Sequence, residues 1–348
     1  MRKILVTGGA GFIGSHTCLL LLEKGYDLVI IDSLVNSSDS AIKRIRNFIG
    51  ENNNSFSSRL KFYKVDLRDY FSIENVFKLE FKNNQIIDAV IHFAGLKAVG
   101  ESTVEPLKYW DFNVLSTVNL LKVMTEFKCK TIIFSSSATI YESKENLLIN
   151  EETHIKPINP YGSTKATIEQ ILNDLYNSQP NDWKIANLRY FNPIGAHPSG
   201  LLGEDPLGKP NNIFPIILKV ASGELSQLRI FGNDWNTPDG TGMRDYIHVM
   251  DLAEGHIKAF EFLERNKSGI INLNLGTGLG TTVLELINTF QKVNKIKINY
   301  IFDQRRPGDK EYVVADNKKA RHILKWENTR GLKEMCRDGW NWQLNKNL

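Results

Sequence analysis

The chain has 348 residues, 42% hydrophobic and 24% charged, with a formal net charge of +4. That length suffices for one large or two modest domains, and charges mixed in sign along the chain point to no nucleic-acid or membrane patch. Cys18, Cys129 and Cys336 have neither paired nor metal-ligand spacing, so no metal site and a reduced, cytoplasmic setting are expected; no apolar run approaches ~18 residues and no basic-apolar leader precedes the first strand, so neither a membrane span nor a signal peptide is expected.

The apolar run Ile4-Leu5-Val6 leads into Gly8, Gly11 and Gly14, spaced G-x-x-G-x-x-G, and a Leu-rich stretch over 16–24 leads out. That is strand, glycine turn, helix. The chain there has to turn sharply, admit a pyrophosphate to backbone N–H groups without a Cβ in the way, and pack helix on strand. A ligand-free tight turn also uses glycine; the flanking elements favour the nucleotide. The next strand, 27–32, ends in Asp32. An acid there can accept from both ribose hydroxyls and repels a 2′-phosphate, which selects NAD over NADP; an acid that merely solvates a turn gives the same pattern.

Residues 33–59 are polar, with a helix expected over 40–49 and a surface loop after it. A third strand over 60–65 runs into Asp66-Leu67, where a polar group could meet the adenine amino group or only make a turn. A helix is expected over 73–81, then a strand over 89–93 continuing into Ala94-Gly95, small residues that suit close approach of a ligand. His92, inside that apolar strand, reads as a core histidine. A helix over 106–127 carries Leu115, Val118, Leu121 and Met124 at helical spacing, and a fifth strand over 131–134 ends in Ser135-Ser136-Ser137. A helix opens at Tyr161 and runs to 176, and a sixth strand covers 185–190. Strands that are apolar throughout, alternating with helices, predict an α/β fold whose doubly wound parallel sheet is covered on both faces.

Beyond Asn192 the texture changes. Residues 193–212 are rich in Pro and Gly and predict a long irregular segment. A helix over 213–222, strands over 228–231, 245–249 and 271–275, and helices over 251–263 and 283–293 follow. The division expected is a first domain over 1–191, with a return contribution from about 240–262, and a smaller α/β domain over 192–348. Gly276-Thr277-Gly278-Leu279-Gly280 lacks the fingerprint spacing and is not expected to bind a second nucleotide.

Tyr161 and Lys165 lie one turn apart at a helix start and share a face. Together they suit proton removal from an alcohol whose carbon loses hydride. Bringing a phenol from ~10 to half-ionisation near pH ~7 needs roughly 4 kcal/mol of differential stabilisation. An exposed lysine supplies less than ~1 kcal/mol, so the pair requires a closed, water-poor site in which Lys165 and a nicotinamide cation act together. Ser137, at the carboxyl end of the fifth strand, is placed to hydrogen-bond the same substrate oxygen. A surface tyrosine packed on a lysine stem would show the same spacing.

Thr7 to Gly14, Ser137 and Tyr161-Gly162-Ser163-Thr164-Lys165 resemble the extended short-chain dehydrogenase/reductase family. Longer strings (His92 to Ser102, Phe134 to Thr139, Arg189-Tyr190-Phe191-Asn192-Pro193, Gly195 to Gly200, and Gly242 to Val249) resemble its UDP-hexose 4-epimerases, and the likeness runs from Arg2 to about Trp342. The resemblance implies a Rossmann-type NAD-binding domain, a C-terminal UDP-sugar-binding domain and a homodimer. It also implies inversion at the sugar C4 through a 4-keto intermediate, with NAD held throughout. The catalytic residues it implies are Tyr161, Lys165 and Ser137. The cofactor residues are Gly8, Gly11, Phe12, Ile13, Gly14, Asp32, Asn36, Ser37, Asp66, Leu67, Phe93, Ala94, Gly95, Lys97, Asn113 and Phe191, with Tyr161 and Lys165. For the UDP-sugar it implies Asn192, Asn212, Phe231, Arg244, Arg306, Asp309 and Val313, with Ser137 and Tyr161. The chain departs from the family at Phe112, where a polar residue is common, and in a long loop over 51–57. Val313 is small where the family has either tyrosine or a small residue; the small form is associated with N-acetylated sugars, and Tyr312 stands one place earlier.

Overall fold

A computed structural model describes residues 2–50, 59–82, 86–142, 147–208, 210, 212–306 and 308–347; the expected loop over 51–57 lies outside them. The chain divides into two compact units. The first comprises Met1–Ile140, Ile155–Arg189 and Ala253–Leu273, and the second Tyr141–His154, Tyr190–Leu252 and Asn274–Leu348.

The first unit is built on β1 (Lys3–Thr7), β2 (Asp27–Asp32), β3 (Leu60–Lys64), β4 (Ala89–His92), β5 (Thr131–Ser137) and β6 (Lys184–Tyr190), with the strand Gly269–Leu275 beyond β6. Read from that outer strand, the sheet runs through β6, β5, β4, β1, β2 and β3. β1 pairs in parallel with both β2 and β4, Val6 lying opposite Ile30 on one side and Ile91 on the other. The strand order therefore reverses across β1, and the crevice outside the carboxyl ends of β1 and β4 is where such sheets bind ligands. β1, β4 and β5 are buried along their whole length, as strands covered on both faces must be. Leu5, Val29, Ile73, Phe77, Val90 and Met124 form part of the core between sheet and helices.

Two helical stretches near the cofactor turn depart from the expected spans. α1 (Phe12–Glu23) begins four residues before the expected start. Apolar spacing is blind to its first turn, which is set by Gly11 in extended conformation as N-cap (φ −76°, ψ 175°). The expected helix over 106–127 is preceded by an additional α2 (Val99–Val104) and divides into α3 (Pro106–Tyr109), a π-helical turn (Trp110–Leu115) and α4 (Ser116–Glu126). The π turn carries Asn113 inward, where its amide accepts from Leu96 N (2.7 Å) and donates to Leu96 O (3.1 Å) and Thr164 Oγ1 (3.0 Å). Satisfying a buried amide in this way accounts for the widened turn.

Among the described residues, the second unit holds three small sheets. Asn192–Ile194 pairs with Tyr246–His248; Met243–Arg244 lies between Thr281–Thr282 and Tyr312–Val313; and Leu228–Phe231 pairs with Tyr300–Asp303. Phe214, Ile217, Ile230, Leu286, Ile287 and Phe290 lie in its core. The returning segment is Ala253–Leu273 rather than 240–262, because it supplies the outermost strand of the large sheet. Residues 141–154 leave the sheet unit: Ile149 bridges Ala315, and Asn274 N donates to Glu151 (2.7 Å). The Gly276–Gly280 loop turns its amides on the chain's own Asp245, which accepts from Thr277 N and Oγ1 (2.7 Å each) and from Gly278 N (2.9 Å).

Candidate active site

The glycine turn shows why each position is glycine. Gly8 has φ +68°, and a Cβ there would stand 2.7 Å from Ala94 N and 2.9 Å from Ala94 Cα. A Cβ on Gly14 would meet Gly8 O at 2.3 Å. Gly8 thus joins the ends of β1 and β4, and Gly14 seats α1 on the turn. Gly11 differs: its Cβ would meet only Gly8 O, at 3.2 Å. Gly11 is the N-cap of α1, and the helix leaves its first-turn amides without partners of its own. The turn therefore fits a dinucleotide pyrophosphate.

At the end of β2, Asp32 is buried and accepts from Ala10 N (3.0 Å), Leu34 N (2.9 Å) and Ser37 Oγ (2.9 Å). A carboxylate has about four acceptor sites, so capacity is left for a ribose hydroxyl. Asn36 and Lys97 are exposed. Asp66, at the end of β3, is gripped by Arg68 through Nη2 (2.7 Å) and Nε (3.1 Å), and these bonds hold it below the usual carboxylate range. Arg68 also reaches Asp111 (2.9 Å) and stacks on Phe112, with Cζ 3.8 Å from the ring centroid. Phe112, the departure noted above, thus serves as a platform for an arginine that the spacing did not single out. Leu67 is buried. Phe93 packs on His256 (centroids 4.6 Å apart), and Gly95 (φ +153°) passes so close to Asn113 that a Cβ would stand 3.0 Å from its Oδ1. His92 is a core group. It bonds Thr7 Oγ1 (2.6 Å) and Thr117 Oγ1 (2.9 Å), and burial pushes its pKa down to about 3.

Helix α5 (Pro160–Ser178) carries the candidate pair Tyr161 and Lys165. Pro160 at its first position and Asn159 as N-cap, accepting from Gly162 N (2.8 Å), start it. Gly162 packs on Thr139, where a Cβ would meet the carbonyl oxygen at 2.7 Å. Tyr161, Lys165 and Ser137 are all buried. Ser137 accepts from Thr139 N (3.2 Å) and Thr139 Oγ1 (3.0 Å), and its hydroxyl is near enough to Tyr161 to act on the phenol. Lys165 Nζ donates to Ser135 O (2.7 Å), 6.0 Å from the Tyr161 ring centroid. Burial raises the Tyr161 phenol, against a lowering contribution from Ser137. Burial also brings the Lys165 ammonium down to about 7, with Glu169 opposing. The chain by itself thus keeps the phenol protonated, and the lowering expected from the sequence depends on the cation that binds beside it.

Spacing and composition assigned no role to a buried cluster around Glu169. Glu169, one turn beyond Lys165, accepts from Arg189 Nη2 (2.6 Å), Arg189 Nε (3.0 Å) and Ser136 Oγ (2.5 Å). A glutamate on an amphipathic helix reads as solvated; only its place in line with Tyr161 and Lys165 could have flagged it.

In the second unit, Asp309 accepts from Arg306 Nε (2.9 Å) and lies 3.6 Å from Arg244 Nη2. Arg306 Cζ stands 4.7 Å above the Phe231 ring. Burial, with Arg306 adding to it, lowers the pKa of Arg244. Lys310, which the sequence reading passed over, donates to Tyr141 O (2.9 Å) and is lowered by burial and by Arg244. Arg244 and Arg306 against the one Asp309 leave an excess of positive charge suited to a diphosphate, for which arginine forks are well shaped. Asn192 N donates to Asp245 O (3.0 Å) beside the buried Phe191, and the side chain of Asn212, N-cap of Ile213–Ala221, makes no capping bond. Val313 lies opposite Arg244 in register and Tyr312 opposite Met243. The pleat therefore puts Val313, and not Tyr312, on the strand face that carries Arg244. Among the described residues, no group of three or more His, Cys, Asp or Glu could hold a metal ion, and no helix is long and apolar enough to cross a membrane.

The family described as GDP-mannose 4,6 dehydratase matches residues 5–339. The chain is 52% identical over 344 residues to UDP-glucose 4-epimerase 2 of Arabidopsis thaliana, covering 99% of this chain and 95% of that one. It is also 52% identical over 340 residues to a UDP-glucose 4-epimerase of Bacillus subtilis, covering 98% and 96%. A crystal structure of UDP-glucose 4-epimerase from Bifidobacterium longum in complex with NAD+ and UDP superposes with a TM-score of 0.91 at 47% identity, covering 99% of each chain.

Proposed function

The chain belongs to the UDP-glucose 4-epimerase family, and on that premise we propose that Tyr161, Lys165 and Ser137 carry its chemistry. It is an NAD-dependent isomerase that interconverts UDP-glucose and UDP-galactose. The single observation that carries the residue roles is the buried cluster on α5 and β5, in which Tyr161, Ser137 and Lys165 are all shielded from water and Lys165, one turn from Tyr161, is tied to Ser135 O (2.7 Å).

NAD is held by the Gly8–Gly14 turn, the first amides of α1, Asp32 and Ser37, with Asp66, Leu67, Phe93, Ala94, Gly95, Lys97, Asn36, Asn113 and Phe191 contributing. When bound there, NAD would supply hydride acceptance and return at the sugar C4, with no net change over a turnover. Tyr161 removes the 4-hydroxyl proton and later restores it. Ser137 hydrogen-bonds the same oxygen, and Lys165 supplies positive charge where water is excluded. Arg244, Arg306, Asp309, Asn192 and Asn212 hold the uridine diphosphate, with Phe231 under the base, while the hexose is left loose enough to turn over. The acid that a dehydratase needs beside the serine of strand five is missing from Ser136-Ser137-Ala138.

The test is to purify the protein without added cofactor, measure bound NAD and add UDP-galactose. UDP-glucose should appear with no net reduction of NAD; release of one reduced cofactor per sugar would make the enzyme a dehydrogenase instead. The finer readings rest on particular residues. Val313 in register with Arg244 supports acceptance of UDP-N-acetylhexosamines. Val104, Leu107, Trp110 and Leu115, all exposed along 104–115, support a homodimer through this segment. The three cysteines are free and buried, which suits a reducing cytoplasm.

A further inference from the structure

The catalytic helix is anchored at both ends of its reactive face. On the N-terminal side, Gly162 touches the Thr139 carbonyl and Asn159 caps the first turn. On the C-terminal side, one turn past Lys165, Glu169 takes a forked arginine from β6 and a hydroxyl from β5. Both charges of the Glu169–Arg189 pair are almost wholly inside, their side chains 7% and 2% exposed. Burying such a pair is a poor route to stability, since apolar replacements of equal volume are often neutral or better. Its value lies in geometry: a forked ion pair fixes distance and direction where an apolar contact would let the helix slide.

What it fixes is specific. Two successive residues at the end of β5 bond to α5: Ser135 O accepts from Lys165 and Ser136 Oγ donates to Glu169, and the hydroxyl of the next residue, Ser137, acts on the Tyr161 phenol. Tyr161, Lys165 and Glu169 follow one another at single-turn spacing on the same helix face.

We propose that Glu169, locked by Arg189 and Ser136, is a positioning residue for the reaction: it sets the height of α5 against β5, so that Tyr161 and Ser137 address one substrate oxygen, and it holds Lys165 beside them as a cation. This rests on the reading of Tyr161, Lys165 and Ser137 as catalytic. The charged and titratable groups that face Lys165 are Tyr161 and Glu169 from α5 and His92 from β4, with Arg189 of β6 behind Glu169. Of these, only Glu169 carries a negative charge near Lys165, because the phenol is protonated in the resting chain and burial keeps His92 neutral. Removing that charge makes the ammonium harder to keep, so Lys165 loses its proton at lower pH.

The experiment measures kcat and KM for UDP-galactose across pH, with bound NAD per chain, for Glu169→Gln, Ser136→Ala and the paired change Glu169→Met with Arg189→Met. The paired change avoids leaving one charge buried alone. Glu169→Gln and the paired variant should stay folded and loaded with NAD and keep KM within about threefold. Their kcat should fall ~10- to 100-fold, as a displacement near 1 Å would produce, and the alkaline limb of kcat should move to lower pH. Ser136→Ala, which keeps the ion pair, should lose ~3- to 10-fold in kcat on the same grounds. A paired variant with wild-type kcat and pH profile overturns the proposal, as does a fall in kcat with an unmoved alkaline limb. If neither charge variant folds, wild-type kcat in Ser136→Ala overturns it. Tyr161→Phe separates the levels: activity surviving there sinks the catalytic reading itself, whereas an inactive Tyr161→Phe beside a fully active Glu169→Gln sinks only the positioning role.

Discussion

Replacing Gly8 and Gly11 separately by alanine should split two jobs that one glycine turn performs. At Gly8 the backbone is left-handed, φ +68°, and a Cβ would stand 2.7, 2.9 and 3.0 Å from backbone atoms of Ala94 and Phe93. Backbone atoms at the end of a central strand cannot step aside as a side-chain tip can. The left-handed conformation costs an alanine about 1–2 kcal/mol, and forcing the methyl into a packed junction about 1–3 more. A loss of about 2–5 kcal/mol is a large part of the margin of an ordinary domain. At Gly11 the backbone is extended, and the nearest atom to a new methyl is Gly8 O at 3.2 Å. As an N-cap change from glycine to alanine, Gly11→Ala should cost on the order of 1 kcal/mol or less. That methyl, however, sits on the N-cap of the helix whose first amides are assigned to the pyrophosphate. Urea unfolding of cofactor-stripped proteins, alongside NAD bound per chain, reads both effects. Gly8→Ala should unfold at clearly lower urea, and Gly11→Ala close to wild type but with most of its NAD lost. A full NAD complement in Gly11→Ala would refute the assignment of the helix terminus to the pyrophosphate. An unchanged midpoint in Gly8→Ala would refute the close-approach argument.

Tyr161→Phe should lower kcat by ~10²- to 10⁴-fold, the usual scale for a missing general acid-base group, while circular dichroism and NAD content stay as in wild type; retained turnover would exclude the phenol as base. Val313→Tyr should abolish turnover of UDP-N-acetylgalactosamine and spare UDP-galactose, and a wild type inactive on the N-acetylated sugar would remove the basis of that expectation. Asp245 offers a test of burial: its carboxyl is raised from 3.8 to about 6. The folded chain therefore holds this proton more tightly than the unfolded one, and its contribution is fully present below the unfolded value and lost as pH rises through the folded value. Wild type should accordingly lose stability across that window relative to Asp245→Asn, and parallel urea-midpoint profiles for the two proteins would contradict the raised value.

The large sheet and its cofactor turn were legible because their causes are local. An apolar run, three spaced glycines and an acid at the end of the second strand are each dictated by contacts within or between neighbouring elements, so they leave a periodic trace. The Tyr161–Lys165 pair was legible for the same reason, since one helical turn brings the two side chains to one face. The resemblance then named residues in the second unit that composition and spacing do not mark. The sequence left undecided whatever depends on non-local pairing. Asn113 draws a π turn into a helix that apolar spacing reads as continuous, because its bonding partners, Leu96 and Thr164, lie elsewhere in the chain. That Val313 rather than Tyr312 pairs with Arg244 is set by strand register, which no local pattern in the sequence marks. The Glu169–Arg189–Ser136 lock joins a helix to two strands, and nothing local distinguishes a buried glutamate on an amphipathic helix from a solvated one. The ionisation of the site belongs to the tertiary structure as well. Spacing alone pairs a tyrosine with a lysine, but burial sets the sign of the effect, raising the phenol and lowering the ammonium until a cofactor's cation arrives.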